Sequence, residues 1–307
     1  MNFFDLHCDT ITELHKKGES LKNNSLHISL EKADCFDAYK QVFAIFIPDT
    51  LRGKTAADYF DEVCDFYYEQ LSENKDSISP YIDFENQSKY KAILAVEGAA
   101  AAAGTIEGLH HLYNRGVKLI TLTWNADNEV ASGCFSETDN GFTPFGKEFV
   151  KEMERLKIAV DVSHLSDKSF WHLAEFAEKP FIASHSCCRI VDNPYAKRRN
   201  LTDEQIKHII GIGGIIGINF CVSFLGCDEK SGFDEVYRHI YHALSLGGEK
   251  TVCIGSDFDG CNVPDDLNSL NKIPELYSYL ISRGIKQDTL DDIFHNNAER
   301  FFKKILA

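Results

Sequence analysis

The strongest constraint in this sequence is an alternation. Short, nearly continuous apolar runs recur between longer segments of helical spacing. The runs lie at residues 3–6, 41–47, 92–96, 119–122, 159–162, 181–183, 215–218 and 252–254, eight in all. Runs without an exposed polar face suit parallel strands buried on both sides. Between them, residues 55–73 carry Tyr59, Val63, Phe66, Tyr67 and Leu71 at helical spacing. Ser166-Asp167 opens a segment with Phe170, Leu173, Ala174 and Ala177. Thr202-Asp203-Glu204-Gln205 has the form of a capping box. Residues 233–246 repeat apolar positions at three and four until Gly247-Gly248 stops them. Eight strand–helix units in 307 residues predict an α/β fold, a (β/α)8 TIM-type barrel, with a doubly wound open sheet as the alternative. With no Pro/Ser linker, low-complexity tract or short repeat, residues 1–307 read as a single barrel domain with C-terminal helices.

Composition narrows the partners. The balance of 32 Lys+Arg against 47 Asp+Glu gives a net charge of −15. That disfavours nucleic acid, which selects basic surfaces, and anionic membranes for the same reason. No apolar run approaches the roughly 18 to 20 residues of a membrane span. The N-terminus has no basic stretch followed by an apolar one. Ten cysteines are scattered, with only Cys187 and Cys188 adjacent and no Cys-x-x-Cys, which argues against zinc-ribbon and thioredoxin motifs. They read as reduced, buried thiols of a cytoplasmic protein.

Barrels place their working residues at the C-terminal ends of strands. Five of the eight runs end in groups that bind metal or move protons: His7-Cys8-Asp9, Glu97, Ser163-His164, Ser184-His185 and Ser256-Asp257-Phe258-Asp259. His7 and Asp9 are two apart, so an extended backbone turns both to one side, able to hold one ion. His164 and His185 follow consecutive runs, about 5 Å apart if these pair, and can hold a second. Glu97 has an oxygen for each. Imidazole with carboxylate suits zinc, with manganese or iron competing. Paired ions polarise a carbonyl and acidify a water. Asp257 is then placed to pass the proton to a leaving amine.

At these residues the sequence resembles the membrane (renal) dipeptidase family of zinc peptidases, relatives of the amidohydrolases. The matching stretches are Asp5-Leu6-His7-Cys8-Asp9, Val96-Glu97-Gly98, Val160-Asp161-Val162-Ser163-His164, Ala183-Ser184-His185-Ser186, Arg199-Asn200-Leu201-Thr202-Asp203 and Ile254-Gly255-Ser256-Asp257-Phe258-Asp259-Gly260. They keep the family's order across positions 5 to 260. The resemblance implies an amidohydrolase-like barrel with two Zn²⁺ per chain that cleaves dipeptides. His7 and Asp9 hold one ion, His164 and His185 the other, Glu97 bridges, and Asp257 is the acid/base. Arg199 matches the arginine that grips the substrate carboxylate, a task suited to a forked guanidinium. One departure stands out: Trp124 occupies the position of a family histidine that binds substrate near the scissile carbonyl. Indole offers one donor and no useful ionisation. Asn125 or another donor must then stabilise the oxyanion, or the substrate range differs.

Other signals carry less. Gly211–Gly217 precedes a strand instead of following one, which removes the context of a dinucleotide loop. His110 and His111 sit on a predicted helix, and His15, His27, His172, His208, His239, His242 and His295 also lie away from strand ends. Residues 127–142 lack periodicity and read as a lid or substrate loop. Residues 290–306 read as an amphipathic helix pair for packing or a dimer surface, and a homodimer is the expected assembly. Two rivals to a dipeptidase follow: a hydrolase of another small carboxylate-bearing amide or lactone, and a barrel without catalysis, against which the complete set of polar strand ends speaks.

Overall fold

A computed structural model describes residues 1–83, 86 and 88–306. Its strands are β1 (Asn2–Cys8), β2 (Ala38–Phe46), β3 (Ile78–Pro80), β4 (Tyr90–Glu97), β5 (Leu119–Thr121), β6 (Ala159–Asp161), β7 (Ile182–Ala183), β8 (Ile215–Ile218) and β9 (Val252–Ile254). All pair in parallel, and β2 pairs with both β1 and β4. The β2–β4 register runs from Tyr39↔Tyr90 to Phe46↔Glu97, and β1 meets β9 at Asp5↔Ile254. Eight strands thereby close into a barrel, as the alternation predicts, and the open sheet is excluded. The ninth, β3, lies outside the barrel on the first residues of β4. It was not expected from sequence. It ends in Pro80, which has no N–H for a ladder and is tolerated only at an edge.

Helices alternate with the strands. Gly53–Glu73 and Phe233–Ser245 match the predicted helical segments 55–73 and 233–246, the second ending one residue early. The Ser166 hydroxyl caps Asp167–Phe176, and Thr202 with Gln205 forms the reciprocal box that starts Asp203–Ile212. Each such cap stabilises its helix by about 1 kcal/mol. Among the described residues, no helix is long and apolar enough to cross a membrane.

Period-two alternation divides the strands into two faces. One face packs on the helices in the larger hydrophobic cluster. The other contributes to a second cluster from all eight barrel strands, including Val42, Ile93, Leu119, Ala159, Ile182 and Cys253. That cluster fills the lumen. Its N-terminal end is closed by the helix Asn297–Leu306, which buries Ala298, Phe301 and Phe302. Phe302 stacks on Phe4 with ring centroids 5.4 Å apart. The C-terminal segment is continuous through a π-helical turn, Asp292–Asn296, and its apolar face plugs the barrel. Toward the other end the lumen face turns polar: Ala95 is followed two residues on by Glu97, Ala159 by Asp161, and Ile182 by Ser184.

Candidate metal centre and cavity

The strand ends deliver the candidate metal ligands and Asp257 to the same mouth of the barrel. His7 is the penultimate residue of β1 and Glu97 the last of β4. His164, His185 and Asp257 follow β6, β7 and β9 by two or three residues. His164, Asp257 and Asp259 have φ of 67°, 61° and 67°. Side-chain-bearing residues hold this left-handed conformation only where their surroundings enforce it, at about 1–3 kcal/mol each. At the two aspartates hydrogen bonds hold the turn. The Asp257 N–H donates to His7 O at 3.2 Å, and Asp259 accepts Thr10 Oγ1–H at 2.6 Å and His27 N–H at 2.8 Å. Gly260 allows the turn to close: a Cβ there would lie 2.0 Å from Asp9 Oδ2 and 2.6 Å from Asp257 Oδ1.

Two clusters result, with Glu97 between them. Its Oε2 lies 3.7 Å from His7 Nε2, which is 3.3 Å from Asp9 Oδ2 and 3.8 Å from Asp257 Oδ1. Its Oε1 lies 3.1 Å from His164 Nε2 and 3.3 Å from His185 Nε2. The two imidazole nitrogens are 3.0 Å apart. The trios His7/Asp9/Glu97 and Glu97/His164/His185 each bring their ligand atoms within 4.8 Å, as does His7/His185/Asp257.

This donor set fits divalent cations. Burial, then the Arg199 and His7 charges, hold His164 well below the ordinary histidine range, and burial and the same neighbours do so for His185. Both rings are therefore neutral. The outer nitrogen of His164 faces Asn125 Oδ1 at 3.2 Å, and that of His185 faces Ser184 Oγ at 2.7 Å. Donation to those oxygens leaves both inner lone pairs facing each other, a repulsion that a shared cation removes. At the other cluster, burial disfavours a charged His7, yet Glu97, Asp9 and Asp257 outweigh it and push its pKa up to about 10. Burial raises the Glu97 and Asp257 carboxyls. Crowded buried carboxylates call for positive charge. Among the described residues the buried Asp9 Oδ1 has no hydrogen-bond partner, leaving a lone pair to give.

The clusters open into a cavity of about 410 Å³. Its lining includes Asp9, Glu97, His164 and Asp257, with walls of Phe46, Trp124, Phe135, Tyr195 and Phe224. A larger cavity, about 590 Å³, lies by the start of β6 and is lined by Lys151, Arg155, Lys179 and Lys304. It contains none of the strand-end residues, several of which line the smaller one. Trp124 stands edge-on to Phe46 at 4.8 Å and forms wall. The 127–142 loop contributes Phe135, and Arg198 fastens it through Cys134 O and Ser136 O. Arg199 is buried beneath the wall. Its guanidinium stacks on Phe224 at 5.3 Å, donates to Ser186 Oγ and His185 O, and leaves Nε–H without a partner.

Three residues escaped the sequence reading. Asn219 follows β8 directly and donates from Nδ2 to Asp257 Oδ2 at 2.8 Å. The strand-end rule points to it, but an amide is neither a strong ligand nor an acid. Asp161 and Ser184 belong to matched stretches without having been assigned work, and they contact each other beneath His185.

The family model described as membrane dipeptidase (peptidase family M19) matches residues 1–307. An uncharacterized protein encoded in the pqqA 5′ region of Klebsiella pneumoniae is 34% identical over 233 residues, covering 71% of this chain and 84% of that protein. An uncharacterized dipeptidase of Schizosaccharomyces pombe is 31% identical over 72% of this chain, which spans about half of that longer relative (54%). In structure, a Rhodobacter sphaeroides metallopeptidase liganded with a phosphinate mimic of L-Ala-D-Ala superposes with TM-score 0.91 at 22% identity, covering 99% of both chains. A family M19 dipeptidase superposes with TM-score 0.89 at 24% identity, over 99% of this chain and 98% of the other. These likenesses carry the barrel fold.

Proposed function

The chain belongs to the membrane dipeptidase family, and from that premise we propose that its metal-dependent hydrolysis of dipeptides uses two zinc ions held by His7, Asp9, Glu97, His164 and His185. The observation that carries this reading is the placement of Glu97, with one oxygen toward His7 and the other toward His164 and His185. Manganese or iron(II) are the competing metals for such donors. When bound, paired cations polarise the scissile carbonyl and acidify the attacking water.

The residues divide the remaining work. Asp257 Oδ2 is occupied by Asn219, so Oδ1 is the atom that takes the water's proton and returns it to the leaving amine. Its raised pKa, a consequence of burial, suits both directions of transfer. Arg199 supplies the fixed positive charge for the substrate carboxylate, and its unpartnered Nε–H supports that role. Asn125 turns its oxygen to His164, which leaves its amide hydrogens for a substrate oxygen in place of the family histidine. Trp124 packs against the substrate side chain. Its aromatic neighbours favour apolar dipeptides.

We extend the reading to a cytoplasmic homodimer of one-domain subunits. The free state of all ten thiols supports the compartment, and exposed Tyr241 beside Tyr237 supports a subunit surface. Sizing by light scattering tests the dimer. The function is tested by metal content per chain, with hydrolysis of L-Ala-L-Xaa and L-Ala-D-Xaa panels before and after chelation. Near two zinc ions with chelator-sensitive cleavage is the expected result. Two ions without cleavage would move the substrate to N-acyl amino acids or lactones. No ion after remetallation would overturn the mechanism.

A further inference from the structure

Beneath the His164/His185 cluster lies a carboxylate that touches no candidate ligand. Asp161 is fully buried and accepts four hydrogen bonds. Its Oδ1 takes the backbone N–H of Ser163 at 3.0 Å and of Ser184 at 2.9 Å. Its Oδ2 takes the hydroxyls of Thr121 and Ser184, both at 2.6 Å. The Ser184 oxygen also lies 2.7 Å from His185 Nδ1.

A hydroxyl has one proton, and a carboxylate can only accept. At 2.6 Å from Asp161, the Ser184 proton belongs to the carboxylate. Toward His185 the Ser184 oxygen can then only accept, so Nδ1 must carry the ring proton. The lone pair is left on Nε2, the atom that faces Glu97 and His164. We infer that Asp161, acting through Ser184, is a positioning residue that fixes the metal-binding tautomer of His185. The inference rests on the reading of His185 as a ligand. Beside the other cluster Asp5 likewise accepts Ser256 N–H at 2.8 Å and Ser256 Oγ–H at 2.6 Å, but there the Ser256 oxygen accepts the Phe258 backbone N–H at 3.1 Å instead of a ring N–H, so that pair holds the turn and sets no tautomer.

The arrangement makes an isosteric substitution more harmful than a deletion. In Asp161→Asn, the two backbone N–H groups cannot turn away, so the amide carbonyl must face them. The NH2 group is forced onto the Ser184 and Thr121 oxygens. Ser184 then accepts from the new amide, and its own proton turns to His185 Nδ1. That stabilises the tautomer with hydrogen on Nε2, which cannot ligate. Ser184→Ala removes the hydroxyl and leaves His185 free to choose.

The experiment uses the metal-free full chain with ¹⁵N-labelled histidine, together with zinc affinity by chelator competition. The parent is expected to show His185 with hydrogen on Nδ1, and Asp161→Asn to show it on Nε2. Zinc affinity is expected to fall about 10–100-fold in Asp161→Asn and clearly less in Ser184→Ala. The double variant should recover to the Ser184→Ala level, because the amide has no hydroxyl left to turn. An Nδ1–H ring retained in Asp161→Asn, or a double variant no better than Asp161→Asn, would overturn the relay. If Asp161→Asn does not fold, the parent tautomer still decides: hydrogen on Nε2 there refutes the inference. A parent chain that binds no zinc refutes the ligand reading instead, and the tautomer spectrum separates the two failures.

Discussion

With Asp257 as the proposed proton carrier, replacing it by asparagine separates proton transfer from the other properties of the site. Asn219 fixes the outcome. Its Oδ1 accepts the Cys221 backbone N–H at 2.6 Å, so its NH2 group must face Asp257 Oδ2 at 2.8 Å and His185 O at 3.2 Å. An amide at position 257 keeps the first of those bonds only by turning its carbonyl toward Asn219. Its NH2 then takes the place of Oδ1, the atom near His7 Nε2 that opens on the cavity. On the proposed mechanism no acceptor then remains for the water's proton. Losing a positioned acid/base costs about 10²–10⁴ in rate, or about 3–5 kcal/mol in the barrier. The fold should be unchanged, because the backbone turn and the Asn219 contact persist. We predict that Asp257→Asn lowers kcat by that factor, with metal content and KM near those of the parent. Steady-state kinetics on one apolar dipeptide and elemental analysis of the same sample provide the check. A kcat within tenfold of the parent at full metal content would refute the assignment of Asp257 as the proton carrier.

Three further outcomes follow from other parts of the molecule. Phe302→Ala opens the plug beneath the lumen and should destabilise the chain by about 3–5 kcal/mol in urea unfolding, with kcat per folded molecule retained; a change under about 1 kcal/mol would mean that the helix contributes little to closing the barrel. Arg199→Met should lower kcat/KM by about 10–100-fold, the scale of one charged hydrogen bond, mainly through KM; equal kinetics on dipeptides would remove the carboxylate role. Burial depresses the His239 pKa to about 4, while its contacts with Cys188 N–H and Leu225 O require the neutral ring. The unfolded chain, with pKa about 6.5, binds the proton first. Stability contributed by His239 is therefore present above about pH 6.5 and is lost toward pH 4, by up to about 3 kcal/mol. Urea midpoints of the parent and His239→Gln should converge as pH falls through that window, and parallel curves would contradict the linkage.

The barrel was legible because its signal is carried by burial. Runs such as Ala92–Val96 and Ile215–Ile218 are apolar on both faces, and only an enclosed parallel strand needs that. The polar residues that the structure brings together were legible because each interrupts such a run at its C-terminal end. What stayed hidden depends on depth and direction, which spacing does not encode. Arg199 reads as one cation of Lys197-Arg198-Arg199, yet the helix Pro194–Arg199 sends it under Phe224 while Arg198 fastens the loop through Cys134 and Ser136. Residues 290–306 were visibly amphipathic, but whether their apolar face meets a second subunit or the lumen is decided by Phe4 and Leu6, at the opposite end of the sequence.

The division of the lumen explains why chemistry and stability can share one barrel. Its lower layers are apolar and sealed by Phe301 and Phe302, so they supply burial without polar cost. Its uppermost layer holds Glu97, Asp161, Thr121 and Ser184, all buried, where an unpaired polar atom would cost about 1–3 kcal/mol. Asp161 meets that cost by taking four donors at once, and in doing so ties β5, β6 and the end of β7 together. Among the described residues Glu97 has no comparable set of donors. Its two oxygens face imidazole nitrogens, two of them on rings held neutral by burial. Of two carboxylates in the same layer, one is satisfied by the protein, and the other is the one that the proposed metal centre would engage. That contrast, more than the count of histidines, is what the proposed metal centre rests on in this chain.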